Sequence, residues 1–119
     1  MSEKLLQNLG ALCNIVRRIA VEAGEVTLEY FDESGFDGVD AKSDGSPVTI
    51  ADQAAEDLIE KQLKEFTPDI LFIGEEAVAD DRIPDLSEAE YFWLVDPLDG
   101  TKEFISGSGD YTVNIALIH

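Results

Sequence analysis

A chain of 119 residues with 45% hydrophobic content is long enough for one ordinary domain with a core, and too apolar to be read as disordered. Eight Lys and Arg against 26 Asp and Glu give a formal net charge of -18, which excludes unaided binding to a nucleic acid polymer or an anionic membrane surface. No apolar run approaches the roughly eighteen residues of a membrane span, and Met1-Ser2-Glu3-Lys4 lacks the basic-then-apolar pattern of a signal peptide. Cys13 stands alone, so no internal disulfide can form; a cytoplasmic protein is expected, with peripheral membrane association left open and Cys13 a small helix-packing residue.

From Glu3 to about Tyr30, apolar residues recur at Leu5, Leu9, Leu12, Val16, Ile19, Ala23, Val26 and Tyr30, in steps of four and three that predict one long amphipathic helix. Phe31 to Pro47 has no sustained period and several glycines, and reads as a loop with a short extended piece around Val39 to Lys42. Thr49 followed by Ile50-Ala51-Asp52 suits a helix start, and Ala54, Ala55, Leu58, Ile59, Leu63 and Phe66 supply the buried stripe of a second helix that stops before Pro68.

Ile70 to Ile73 is a compact apolar run predicting a buried strand, with Glu75 and Glu76 delivered to its C-terminal edge. An acidic excursion from Ala77 to Glu90 follows. Tyr91 to Val95 predicts a second strand, broken by Asp96-Pro97 and the turn residues Asp99-Gly100. Gly100 to Phe104 suits a helical turn, Ser106 to Gly109 a link, and the β-branched segment Tyr111 to Ile118 a third strand. That strand runs to His119 with no polar tail, from which we expect the chain to stop inside a larger domain and to self-associate through the open strand, allowing a homo-oligomer.

Two predicted strands thus end in acids, Glu75 and Asp96, and Asp99 follows on a tight turn. Carboxylates clustered at buried strand ends are costly unless a cation neutralises them. With the Leu98 carbonyl turned the same way by Pro97 and Gly100, they make a hard-oxygen set suited to Mg²⁺ at about 2.1 Å. An ordinary acidic turn is the bland reading of Asp-Pro-Leu-Asp-Gly alone. An EF-hand is excluded, since a loop turning on Gly45 would place Lys42 and Ala51 at ligand positions. Free amides at Gly100 and Thr101 could hold a phosphate oxygen, the Thr101 hydroxyl could orient water, and Asp52 could accept its proton; helix capping is the plain alternative for both side chains.

Pro47-Val48-Thr49-Ile50-Ala51-Asp52, then Gly74-Glu75-Glu76, then Trp93-Leu94-Val95-Asp96-Pro97-Leu98-Asp99-Gly100-Thr101 resemble, in order and spacing, the signature segments of the inositol-monophosphatase superfamily. Lys42 to Thr49 and Asp99 to Ile105 look most like its branch of CysQ-type 3'(2'),5'-bisphosphate nucleotidases. The resemblance implies a layered α/β phosphatase fold (α+β in the wider sense), with two long N-terminal helices on a largely antiparallel sheet, and a chain that is its N-terminal, metal-binding portion (1–119) without the C-terminal half. It implies on the order of two or three Mg²⁺ ions, as in multi-metal phosphatases. Glu75, Asp96, the Leu98 carbonyl and Asp99 would be metal ligands. Asp52, Glu75 and Thr101 would activate and position water, and Glu75, Gly100 and Thr101 would contact substrate. The implied substrate is a small phosphorylated molecule, 3'-phosphoadenosine 5'-phosphate, with inositol monophosphate as the rival. A haloacid-dehalogenase mechanism fits poorly, because Asp96 and Asp99 are three apart rather than two. A non-catalytic acidic metal- or partner-binding module would share the charge but not require Thr101.

Overall fold

The N-terminal helix does not run unbroken. Asn8 interrupts it, its side chain accepting a hydrogen bond from the Ala11 amide at 3.1 Å, so that α1 (Ser2–Leu6) ends and α2 (Leu9–Leu28) begins with its own N-cap. The computed structural model describes residues 2–33, 47–79, 81 and 84–119. Most of the expected 31–47 loop, including its extended piece at 39–42, lies outside them. The second long helix, α3 (Pro47–Phe66), opens two residues earlier than the Thr49 start expected from sequence. Proline suits a first turn because its missing amide would have had no helical partner there.

β1 (Leu71–Gly74) leads straight into a short helix, α4 (Glu75–Ala79), where an irregular excursion was expected from Ala77. Next come β2 (Phe92–Asp99), α5 (Thr101–Ser106) and β3 (Thr112–Ile118). The layered helix-on-sheet architecture is as expected, but the sheet, ordered β1-β2-β3, is mixed rather than largely antiparallel: β1 pairs with β2 in parallel, and β2 with β3 antiparallel. β2 also continues through Asp96-Pro97, which sequence reading took as its end.

Helices α2 and α3 pack on each other and on one sheet face. Leu12, Ile19 and Ala23 from α2 meet Ala55, Ile59 and Leu63 from α3 and Trp93 and Val95 from β2 in the main core. Residues alternate accordingly along β3, with Val113, Ile115 and Leu117 turned to this core and Asn114 and Ala116 exposed. Cys13, expected to pack, is exposed on α2. Trp93 anchors the core with its polar handle satisfied: Nε1 donates to Thr67 Oγ1 at 2.9 Å, and Thr67 Oγ1 donates to the Leu63 carbonyl at 2.8 Å. Among the described residues no helix is long and apolar enough to cross a membrane.

Candidate functional site

Parallel pairing runs β1 and β2 in the same direction, and β1 ends beside the middle of β2. The register matches Gly74 with Val95, so Glu75, which opens α4, and Asp96, within β2, each follow a member of that matched pair. Both line one cavity of about 420 Å³, with Ile73, Val78, Leu94 and Asn114 among its walls. Asp96 Oδ1 is buried and, among the described residues, has no hydrogen-bond partner. A buried carboxylate oxygen left that way is costly unless something outside the chain satisfies it.

Beyond Asp96 the ladder slips. β2 advances from Asp96 to Asp99 while its partner moves only from Asn114 to Thr112, so β2 carries one extra residue, a bulge around Pro97-Leu98. Proline is tolerated there because a bulge leaves ladder positions without a required amide. The bulge lets the strand persist past a residue that would break a regular ladder, and it re-aims Asp99 and the turn beyond it. Asp99 is exposed opposite Thr112 and does not line the cavity shared by Glu75 and Asp96. The Leu98 side chain is buried, so its backbone is the part left for a polar role.

Gly100 then turns with φ 109°, a left-handed conformation, and a methyl group there would stand 3.0 Å from Tyr111 Cα. Both facts call for glycine. Thr101 opens α5, half-buried, with the Phe104 amide bonded to the Gly100 carbonyl at 3.0 Å. A second apolar cluster of Val48, Ala51, Leu98 and Phe104 supports this turn, with Phe31 and Tyr111 packed against it. α3 packs against α5, bringing the helices that carry Asp52 and Thr101 together.

The buried stripe of α3 changes character along its length. Ile59 and Leu63 serve the main core, whereas Asp52 and Glu56, one turn apart, are fully buried carboxylates on the half facing the strand ends. Glu56 Oε1 accepts the Glu76 amide at 2.8 Å, and its carboxyl group lies where a Gly74 side chain would have been. Sequence reading missed Glu56, which looks like one more surface acid on an amphipathic helix, and Asn114, which faces Asp96 across the ladder and donates to Thr112 Oγ1 at 3.0 Å. The carboxyl of Asp85, an exposed turn residue, is held below the usual range by hydrogen bonds from Ser87, first of all its backbone amide.

Among the described residues no three acidic, histidine or cysteine side chains converge closely enough to cage a metal ion by themselves. The arrangement instead offers two adjacent carboxylates, one with an unsatisfied buried oxygen. That donor set suits a hard, strongly hydrated cation such as Mg²⁺, which is commonly held by one or two carboxylates, waters and substrate phosphate rather than by a closed protein cage.

Comparison with known proteins gives the family. The model of the inositol monophosphatase family matches residues 9–119. The chain is 43% identical over 103 residues to the 3'(2'),5'-bisphosphate nucleotidase CysQ of Escherichia coli (strain K12), covering 87% of this chain and 41% of that protein. It is 30% identical over 113 residues to a fructose-1,6-bisphosphatase/inositol-1-monophosphatase of Aquifex aeolicus, covering 95% of this chain and 41% of that one. The crystal structure of CysQ from Bacteroides thetaiotaomicron superposes with a TM-score of 0.72 at 36% identity, over 92% of this chain and 40% of that chain. The chain therefore spans about two fifths of the length of these relatives.

Proposed function

Because this chain belongs to the inositol monophosphatase family, we propose that it is the N-terminal, cation-binding portion of a Mg²⁺-dependent phosphomonoesterase that removes the 3'-phosphate of 3'-phosphoadenosine 5'-phosphate, giving AMP and phosphate. The observation that supports this reading best is that Glu75, just past the end of β1, and Asp96, in the parallel neighbour β2, line one cavity, with a buried Asp96 oxygen that no described residue satisfies. The CysQ relatives favour the nucleotide substrate over inositol 1-phosphate.

On this reading Glu75, Asp96 and the Leu98 carbonyl hold a first cation and Asp99 contributes to a second, with the bulge supplying the backbone freedom that a carbonyl ligand needs. Bound divalent cations would supply phosphoryl polarisation and a lower pKa for the attacking water. The Thr101 hydroxyl orients that water, Asp52 accepts the Thr101 proton, and Glu75 helps position the nucleophile. Gly100 and Thr101 contact the phosphate. The water oxygen bonds to phosphorus as the ester bond to the 3'-oxygen breaks, and that oxygen takes up a proton from solvent, matching the one that the attacking water gives up through Thr101 to Asp52. The repulsion a chain of net charge -18 imposes on a phosphorylated substrate makes local neutralisation by cations a requirement for binding as well as for chemistry. A cytoplasmic location is part of the same proposal.

In the protein that carries this chain with the C-terminal half of the family fold, Asp96→Asn is expected to lower kcat/KM by about 10² or more, the scale of losing one preorganised electrostatic contact. Phosphate release with and without Mg²⁺ measures it, and activity close to the unsubstituted level would sink the assignment. The same assay compares 3'-phosphoadenosine 5'-phosphate with inositol 1-phosphate; equal or reversed preference moves the chain to the inositol branch.

A further inference from the structure

Glutamate is almost never fully buried unless it is paired, yet Glu56 is only 1% exposed. What it touches gives it a use. Its Oε1 accepts the Glu76 amide, and its carboxyl group fills the space beside Gly74, so close that any side chain there would overlap it. Gly74 ends β1 and Glu75 begins α4, a helix of five residues. The early amides of a helix have no partner within it, and α4 borrows its acceptor from α3. The bond joins a carboxylate to a helix N-terminus, where negative charge is favoured and the hydrogen bond is of the stronger, charge-assisted kind.

Glu75 stands between the two residues that Glu56 holds. The contact with Gly74 fixes where the strand ends, and the bond to Glu76 fixes where the helix starts. The direction in which Glu75 leaves the chain, toward the cavity it shares with Asp96, is set by both. We infer that Glu56 is a positioning residue: its buried carboxylate clamps the Gly74–Glu76 turn so that Glu75 faces Asp96, and position 74 is glycine because it must admit that carboxylate. The inference rests on the cation-binding reading of Glu75 and Asp96 given above.

The test uses the 119-residue chain, Mn²⁺ as a spectroscopic stand-in for Mg²⁺, and four variants. Glu56→Ala removes the clamp, and Gly74→Ala displaces it from the other side. Each is expected to weaken Mn²⁺ binding, read by electron paramagnetic resonance, about 10- to 100-fold, the usual scale for loss of a group that orients a metal ligand. Glu56→Gln keeps the acceptor and the shape, and is expected to stay within about threefold of the unsubstituted chain on the same scale. Leu63→Ala, in the main core and away from the turn, is expected to melt earlier yet leave the Mn²⁺ affinity of the folded protein unchanged. Without metal, the Glu76 amide is expected to exchange slowly in the unsubstituted chain and in Glu56→Gln, and much faster in Glu56→Ala. Unchanged Mn²⁺ affinity in Glu56→Ala, or a Leu63→Ala loss as large, would overturn the inference. Failure of the unsubstituted chain to bind Mn²⁺ would instead refute the cation reading, while the metal-free exchange still decides whether Glu56 sets this turn.

Discussion

The two apolar clusters of this molecule do different work. The main one is broad and largely aliphatic, built from Leu12, Ile19, Ala23, Ile59, Leu63 and their neighbours around Trp93, and it joins two long helices to the sheet. The second is small and ring-rich. Phe31, Phe104 and Tyr111 lie 5.2 to 5.6 Å apart between centroids, over Val48, Ala51 and Leu98, directly beneath the Asp96–Thr101 turn. Aliphatic burial is non-directional and scales with area, so it stabilises the fold without saying much about orientation. Edge-on ring contacts have preferred geometries and therefore also orient what they hold. The scaffold end is built for stability, and the site end for placement.

Breaking the first cluster is expected to have the largest effect. Trp93→Ala removes the biggest fully buried side chain and leaves Thr67 without its donor, at a cost of about 3–5 kcal/mol, a large share of a typical domain's stability. Urea denaturation measures it, and the whole chain is expected to lose stability as one unit. Phe104→Ala is expected to cost about 3 kcal/mol, the low end for such truncations, because the smaller cluster can partly collapse. Its signature is local: amide exchange in α5 accelerates well below the global unfolding threshold, whereas main-core amides keep their protection. Equal protection loss in both regions would show that the clusters are a single unit. The smallest and sharpest probe is Tyr111→Phe, which keeps the ring and deletes only the 3.1 Å hydrogen bond to Thr27 Oγ1. A loss of about 0.5–1.5 kcal/mol is expected, and α5 exchange should hardly change if orientation comes from the rings.

Much of this layout could be read from the sequence, and the misses at Pro97, in the pairing of β1 with β2 and at Glu56 share one cause. Apolar periodicity located the helices and strands because it records which face of an element is buried. It also ran unbroken across Asn8, whose cap depends on a local backbone bend that leaves the apolar spacing intact. Pro97 reads as a strand end by local chemistry. What carries β2 past it is pairing with β3, a contact made from a distant segment, and the same holds for the parallel pairing of β1 with β2. That pairing decides whether Glu75 and Asp96 meet, since a run of antiparallel neighbours would have sent their ends to opposite edges. Glu56 was illegible for a related reason. A glutamate one turn beyond Asp52 on an amphipathic helix carries no sign of burial until the strand that delivers Gly74 is laid against it.

The surplus residue in β2 has a consequence for how this protein can change. Because a bulge counts two residues as one step of the ladder, Asp96 and Asp99 share a face, opposite Asn114 and Thr112, although they are three residues apart; removing either Pro97 or Leu98 would close the bulge and leave Asp99 opposite Thr112. What would go is the local bend that the bulge puts into β2 between Asp96 and Asp99. The face that Asp99 occupies is therefore set by its pairing with Thr112 rather than by its distance along the chain from Asp96. Deleting a single codon at 97 or 98 would straighten this stretch while keeping Asp96, Asp99, Gly100 and Thr101 in the chain and Asp99 on its present face, so backbone bend and side-chain identity can be varied separately here.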